Sequence, residues 1–232
     1  LMRDIRKEGC IVHGRRVPSA LRRRSVEYAL SVKTHPFLAD HAIDGVPVVP
    51  MVAALDWIAQ TADLSPPFEV SDLTLYRGIT VSEPTRVTVR VRDGRGEIVV
   101  GDDSALAYKA NVRHGVEAQE VLPKLQGDRS PSQTLDHFYS DVTFHGPMLA
   151  GLAEIQHIEE DNARGMVRTG LPRDWIPASS RGAWTADPLA LDSALQMAAF
   201  MAWTQFGRAG TPVSVGRYTQ FAPMPEGPVE AT

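Results

Sequence analysis

Hydrophobic and polar positions divide the chain into alternating and helical stretches whose order repeats. Residues 25–33 (SVEYALSVK) alternate and are rich in strand formers, which predicts a strand. The turn-like THPFLADHAIDGVP follows. A helix is predicted near 50–63, where Met51, Ala54, Leu55 and Ile58 recur at helical spacing. Trp57 and Ala59 widen that stripe, so burial on most sides is expected. Pro50 suits the first turn of this helix, where a missing amide proton costs nothing, and SPP at 65–67 ends it. Strand-like runs come next at 68–81, 85–91, 96–100 and 104–114, with DGRG at 93–96 as a hairpin signal. Residues 115–134 are polar and full of turn formers, which predicts a linker.

The second half replays this order. Strand-like pieces are expected around 138–144, 152–159 and 163–170, then a loop with several Pro and Gly. A second long apolar helix is predicted over about 187–206 (DPLALDSALQMAAFMAWTQF), with Asp187 as its cap and Pro188 as its first residue. The stretch after it, PVSVGRYTQFAPMPEGPVEA, resembles LTLYRGITVSEPTRVTV in pattern. Two copies of one unit, each a helix wrapped by an antiparallel sheet, is the economical organisation. It gives a basic leader at 1–24, a first unit at 25–114, a linker at 115–134 and a second unit at 135–232. Less chain follows the second helix than the first. The second sheet is therefore expected to lack strands that the first has, and to be incomplete at its C-terminal end.

Bulk properties narrow the class. A chain of 232 residues suits one large domain or two smaller ones, and 43% hydrophobic content supports a substantial core. No run of about 18 apolar residues occurs, so no membrane span is expected. The opening LMRDIRKEGC lacks the apolar segment of a signal peptide. The single cysteine, Cys10, excludes a disulfide framework and a cysteine-rich metal site. The cytoplasm is the expected compartment. Residues 1–24 carry eight Lys/Arg and two Asp/Glu, a net of +6, which leaves −10 for the rest of a chain whose total is −4. That leader reads as a solvated segment. An acidic body without an aromatic-interleaved basic surface argues against a nucleic-acid partner.

Candidate chemistry centres on two places. His41, in HAIDGVPVVP, has apolar surroundings; it is either a packed core residue or a proton-transfer group enclosed in an apolar pocket. His35 and His41 have neither the spacing nor the third ligand of a metal site. Asp192 and Gln196 lie four apart and project from one face of the second helix. They are either an exposed polar stripe or a buried carboxyl held by an amide. A buried carboxyl is costly when charged and tends to keep its proton. Taken together, a neutral imidazole is a base near pH 7, with an ordinary pKa of about 6.5. Keeping a carboxyl protonated from about 3.9 up to about 7 corresponds to roughly 4 kcal/mol. One base and one acid whose environments push their pKa values apart can move protons in both directions. Such a pair suits elimination of water next to a carbonyl.

These residues also carry a resemblance. HAIDGVPVVP matches the HxxxGxxxxP motif of the dehydratase domains of polyketide and fatty acid synthases through His41, Gly45 and Pro50, and LSVKTHPFLADH resembles the strand and turn before it. DPLALDSALQ resembles the family's DxxxQ/H motif through Asp192 and Gln196. FHGPMLAGL at 144–152 resembles YGPxFQGL through Gly146 and Pro147, with His145 where tyrosine is usual and Ala150 where glutamine is usual. The FHGP form and SVGRYTQF at 214–221 are more similar to polyunsaturated-fatty-acid and enediyne-type synthases than to ordinary modular ones.

The resemblance, over about 25–225, implies an α+β double hotdog and a 3-hydroxyacyl-[acyl carrier protein] dehydratase. In it His41 would be the base, Asp192 the acid and Gln196 the residue orienting that acid. The Gly45 amide would bond the thioester carbonyl, and Pro50 would shape the turn. Tyr139, Phe138 and Met148 would line the acyl tunnel or, as is more usual for an aromatic, simply pack in the core. His145 would alter the tunnel wall or act as a third titrating group; otherwise it is a loop histidine near the linker. Tyr218 and Arg217 would contact the carrier arm or sit on a strand. No metal and no cofactor are implied beyond the phosphopantetheine of an acyl carrier protein. That carrier and other synthase domains are the implied partners, with a homodimer as a common arrangement. Two other functions stay open: a related hotdog isomerase or cyclase, and a non-catalytic acyl-binding scaffold domain. A scaffold, however, requires none of His41, Asp192 and Gln196.

Overall fold

The computed structural model describes residues 11–12, 15–16, 23–116, 134–159 and 162–232. Most of the expected leader and most of the expected linker lie outside the described residues. Two short strands, β1 (Ile11–Val12) and β2 (Arg15–Arg16), pair with each other.

The first unit opens with β3 (Arg24–Leu30), a single 3-10 turn at Pro36–Leu38, and the hairpin β4 (Ala42–Ile43) and β5 (Val46–Pro47). Helix α1 (Met51–Thr61) follows, then β6 (Phe68–Leu75), β7 (Thr85–Arg92), β8 (Arg95–Val100) and β9 (Ala105–His114). Every residue of α1 except Gln60 is buried. A helix that is apolar all round has to be enclosed, and the antiparallel strands do so in the order β6-β9-β8-β7-β3, each touching α1. The inward positions of β7 (Val87, Val89 and Val91) are completely buried against it. Burying an aliphatic side chain of this kind contributes about 1.5–3 kcal/mol. Trp57 of α1 stacks on Tyr28 of β3 with ring centroids 4.8 Å apart. Strand β6 stops at Leu75, short of the expected 68–81 run, because the amides of Tyr76 and Arg77 both turn to the Ala107 carbonyl.

The second unit begins with a helical segment where a strand was expected at 138–144. Helix α2 (Leu135–His137) runs on as a π-helical turn over Phe138–Val142. The Thr134 hydroxyl caps it by accepting the His137 amide at 3.3 Å, and Phe138 buries its ring against Phe200 and Trp203. Next come β10 (Leu152–Ile158), β11 (Ala163–Val167), α3 (Pro172–Trp175), α4 (Pro188–Phe206), β12 (Ser214–Gln220) and β13 (Val229–Ala231). Asp187 caps α4 by accepting the amides of Leu189 and Ala190 at 2.9 and 3.1 Å. The sheet β10-β11-β13 is antiparallel, and β10 and β11 pack on α4.

Strand β12 does not stay with the second sheet. It pairs with β6, Tyr218 opposite Val70 and Gln220 opposite Phe68, and extends the first sheet to six strands. Both strands follow the long helix of their unit, and pairing them covers an edge that β6 would otherwise expose. The units also meet where Phe37 stacks on Trp175 at 4.6 Å and where α1 contacts α4. Two central helices, each against its own antiparallel sheet, make the α+β double hotdog.

Candidate active site

The hairpin β4–β5 explains the position of His41. Asp44 and Gly45 have φ of +51° and +77°, the left-handed pair of a two-residue turn, and glycine takes the second of these without a steric cost. Ala42 then faces Pro47 and Ile43 faces Val46, so the next residues outward, His41 and Val48, face each other too. The Val48 amide donates to the His41 carbonyl at 2.9 Å, and His41 Nδ1 is 2.7 Å from the Val48 carbonyl. A carbonyl can only accept, so Nδ1 carries the proton and Nε2 is left as the basic nitrogen. The spacing from His41 to Gly45 is thus the register of a hairpin. Gly45 itself is exposed at the tip of that hairpin and is not among the residues that line the cavity. Pro50 precedes the first turn as the N-cap of α1 instead of standing within it, and it does not line the cavity either.

His41 is 8% exposed. Burial holds its imidazole below the usual range and neighbouring His145 adds to this, while Asp192 and the Val48 carbonyl oppose it. It is therefore neutral at pH 7.

Asp192 comes from the other unit, on the buried face of α4. Gln196, one turn later, donates Nε2 to Asp192 Oδ2 at 2.6 Å and to the Leu149 carbonyl at 2.9 Å. Its Oε1 accepts the Tyr139 hydroxyl at 2.6 Å, and the Tyr139 oxygen accepts the Leu152 amide at 3.1 Å. Both ends of the Gln196 amide are thereby committed, and a flip would break the network. Burial pushes the Tyr139 hydroxyl up to about 12, so it remains a donor. Tyr139 stands behind Gln196 and is not on the cavity wall where the resemblance put it.

The FHGP loop crosses between the two units. The Gly146 amide donates to the Asp40 carbonyl at 2.8 Å, and the Met148 amide to Asp40 Oδ2 at 2.6 Å. A Cβ on Gly146 would lie 2.6 Å from the Asp40 carboxyl carbon, so only glycine fits this approach. Anchored in this way, His145 makes an antiparallel bridge to His41, with ring centroids 5.3 Å apart. His145 Nε2 is 3.2 Å from Asp192 Oδ2, and Nδ1 is hydrogen-bonded to the Thr143 hydroxyl. Gly146 and Pro147 act as loop anchors and do not line this cavity; Pro147 and Met148 face a separate groove with Arg168 and Trp175. Asp40 and Thr143 carry no motif that sequence reasoning could have used.

One cavity of about 210 Å³ receives these groups. His41, His145, Asp192 and Gln196 share its wall with Val48, Val49, Phe144, Leu195 and Ala199. A ring nitrogen of each histidine and a carboxylate oxygen of Asp192 all lie within 4.8 Å of one another. Tetrahedral coordination of a first-row metal sets its donor atoms about 3.3 Å apart. The His145–Asp192 pair meets that spacing, but the three-residue cluster spans up to 4.8 Å and would have to tighten around an ion. Its spacing suits proton exchange among the groups and a substrate carbon between them. Tyr218 donates to Gln220 at 2.6 Å and Arg217 lies 3.6 Å from Glu69; neither lines the cavity. Phe138 lies in the core of the second unit.

Comparison with known proteins bears on the fold and on family likeness. Residues 13–101 match the family model "Polyketide synthase dehydratase domain". A polyunsaturated fatty acid synthase polypeptide of Thraustochytrium sp. is 26% identical over 221 residues, covering 85% of this chain and 8% of that protein, so the chain spans a small part of the relative's length. Among solved structures, GphF Dehydratase 1 superposes with a TM-score of 0.72 at 18% identity, over 92% of this chain and 82% of that one. The dehydratase domain from the CurJ module of curacin polyketide synthase does so at 0.68 and 14%, over 92% and 79%. No helix among the described residues is long and apolar enough to cross a membrane. Residues 13–101 thus match the polyketide synthase dehydratase family model, and the chain as a whole has the double-hotdog fold of those dehydratase domains.

Proposed function

We propose that the chain dehydrates a β-hydroxyacyl thioester, carried on the phosphopantetheine arm of an acyl carrier protein, to the α,β-enoyl thioester. The observation that carries this reading is the meeting of His41 from one unit and Asp192 from the other, within 4.8 Å, on one apolar cavity. His41 Nε2 takes the α proton and the C–H electron pair becomes the Cα–Cβ double bond. The Cβ–O bond breaks, and the hydroxyl leaves as water with a proton from the Asp192 carboxyl. Gln196 fixes the rotamer of Asp192, and Val48, Val49 and Leu195 keep bulk water from competing. The likeness to a fatty acid synthase polypeptide supports a carrier protein and neighbouring synthase domains as partners, and the cytoplasm is the proposed compartment.

The test uses 3-hydroxybutanoyl-N-acetylcysteamine thioester and follows the enoyl absorbance. The chain as it stands should form the enoyl thioester, and His41→Ala and Asp192→Asn should each lower its formation by at least about 10²-fold while circular dichroism stays unchanged. Dehydration by folded His41→Ala protein would overturn the assignment. A β,γ-alkene as the product would make the chain an isomerase instead.

A further inference from the structure

The elimination needs one base and one acid, yet the cavity holds a third titratable side chain. His145 points Nε2 at Asp192 Oδ2 from 3.2 Å, and the side chains of the pair are only 11% and 8% exposed. The Thr143 hydroxyl holds Nδ1, which fixes the ring so that Nε2 faces the carboxyl. We propose that His145 and Asp192 work as one acid sharing a single transferable proton, with His145 the positioning residue that keeps this proton in the site at neutral pH. The inference rests on the dehydratase reading above.

The proton count is compatible with it. Before reaction His41 is neutral, and the pair is either a carboxylic acid beside a neutral imidazole or a carboxylate beside an imidazolium. Both forms have zero net charge. In the elimination His41 gains the α proton while the pair gives one to the departing hydroxyl. The site then holds one positive His41 and one negative pair, and its net charge is again zero. Uncompensated charge in an apolar cavity is costly, so this balance favours the step. The adjacent rings of His41 and His145 offer a return path for the proton once water has left. The other groups facing His145 are accounted for. Gln196 sits beside Asp192 on α4, Phe144 stacks on the ring, and Asp40 engages Met148 from the turn ahead of β4. Of all these, His41, Asp192 and Asp40 titrate.

The experiment measures kcat against pH with 3-hydroxybutanoyl-N-acetylcysteamine thioester for the unmodified chain, His145→Gln and His145→Tyr. Glutamine keeps an N–H for Asp192 but has no transferable proton, and a phenol ordinarily keeps its proton to about pH 10. In both variants kcat at pH 7.5 should fall at least about tenfold. The alkaline limb should move at least about one pH unit lower, since an ordinary carboxyl holds its proton only to about 3.9 and an imidazole to about 6.5. Limbs that coincide with the unmodified chain, or a uniform loss with unmoved limbs, overturn the shared proton while leaving the dehydratase reading intact. If the unmodified chain dehydrates nothing, the dehydratase reading falls instead. The pairing is then read without turnover, by 15N NMR of the His145 ring. Its titration should move to lower pH in Asp192→Asn, and an unmoved titration overturns the inference. The same NMR comparison decides the matter if neither His145 variant folds.

Discussion

Each central helix carries one buried carboxylate, and the two are put to different uses. Asp56 on α1 has no exposed surface, and Asp192 on α4 has 5%. Around Asp56 every partner is a donor. Arg181 grips it with two bonds of 2.8 and 3.1 Å, and the amides of Thr185 and Ala186 give Oδ1 two more at 2.9 and 3.1 Å. Asp56 is thus an anion that ties the loop before α4 to the first unit. Asp192 has an amide and an imidazole instead, and an imidazole can donate or accept. A buried acid surrounded by fixed donors is a structural tie. A buried acid among partners that tolerate either of its forms, facing a cavity, is equipped for chemistry.

Exchanging the carboxyls for amides breaks the comparison in opposite ways. Asp192→Asn should lower turnover by about 10²–10⁴-fold. Its stability in urea should change by less than about 1 kcal/mol, because the substitution is nearly isosteric and leaves no charge stranded. Asp56→Asn should do the reverse. It leaves the part-buried Arg181 without its anion and sets an amide N–H against donors, which costs about 1–3 kcal/mol, a sizeable part of the stability of an ordinary domain. Turnover per folded molecule should stay close to that of the unmodified chain. Equal stability losses for the two variants would show that the carboxylates are not divided in this way.

Both acids look alike along the chain, each alone on an apolar helix, and that is where sequence reasoning met its limit. The helices themselves were legible: periodic apolar positions place α1, and Asp187–Pro188 marks the start of α4. His41, Asp192 and Gln196 stood out because their types are out of place among apolar neighbours. What separates Asp56 from Asp192 is Arg181, 125 residues further along, which no local pattern reveals. Asp40 likewise meets the FHGP loop across 108 residues. Residues 138–142 favour a strand by type, but burying Phe138 against Phe200 and Trp203 decides for a helical turn. Strand β12 reads like part of its own unit, and only the matching open edge of β6 draws it across. Gly45 was legible as important, and the structure shows it at the turn of the β4–β5 hairpin.

Tyr139→Phe sharpens the contrast from the Asp192 side by a smaller amount. Losing the hydroxyl leaves Gln196 Oε1 and the Leu152 amide without their partner, which should cost about 1–3 kcal/mol in urea denaturation. Gln196 then loses its reason to keep Nε2 on Asp192, and kcat should fall about threefold to tenfold. The tyrosine is not on the cavity wall, so KM should hold. A rise in KM with unchanged kcat would return Tyr139 to the acyl tunnel.

The smallest effect separates the two carboxylates by pH. Burial holds the imidazoles of His41 and His35 below their ordinary range in the folded chain. Unfolded, each takes up a proton as pH falls through about 6.5. Over that window the unfolded state binds more protons than the folded one, so stability is full above about pH 6.5 and declines as pH falls. The decline levels off once the folded imidazoles are protonated as well. On the Asp192 side this drift is softened, because a protonated His41 gains the carboxylate across the cavity, and Asp192 is the first of the influences that raise its affinity for a proton. The groups bonded to Asp56 include no histidine, and its tie should not respond in the same range. Asp192→Asn should therefore steepen the loss of stability between about pH 6.5 and about pH 5, measured as urea midpoints against pH, and an unaltered slope would mean that the carboxyl and His41 do not interact across the cavity.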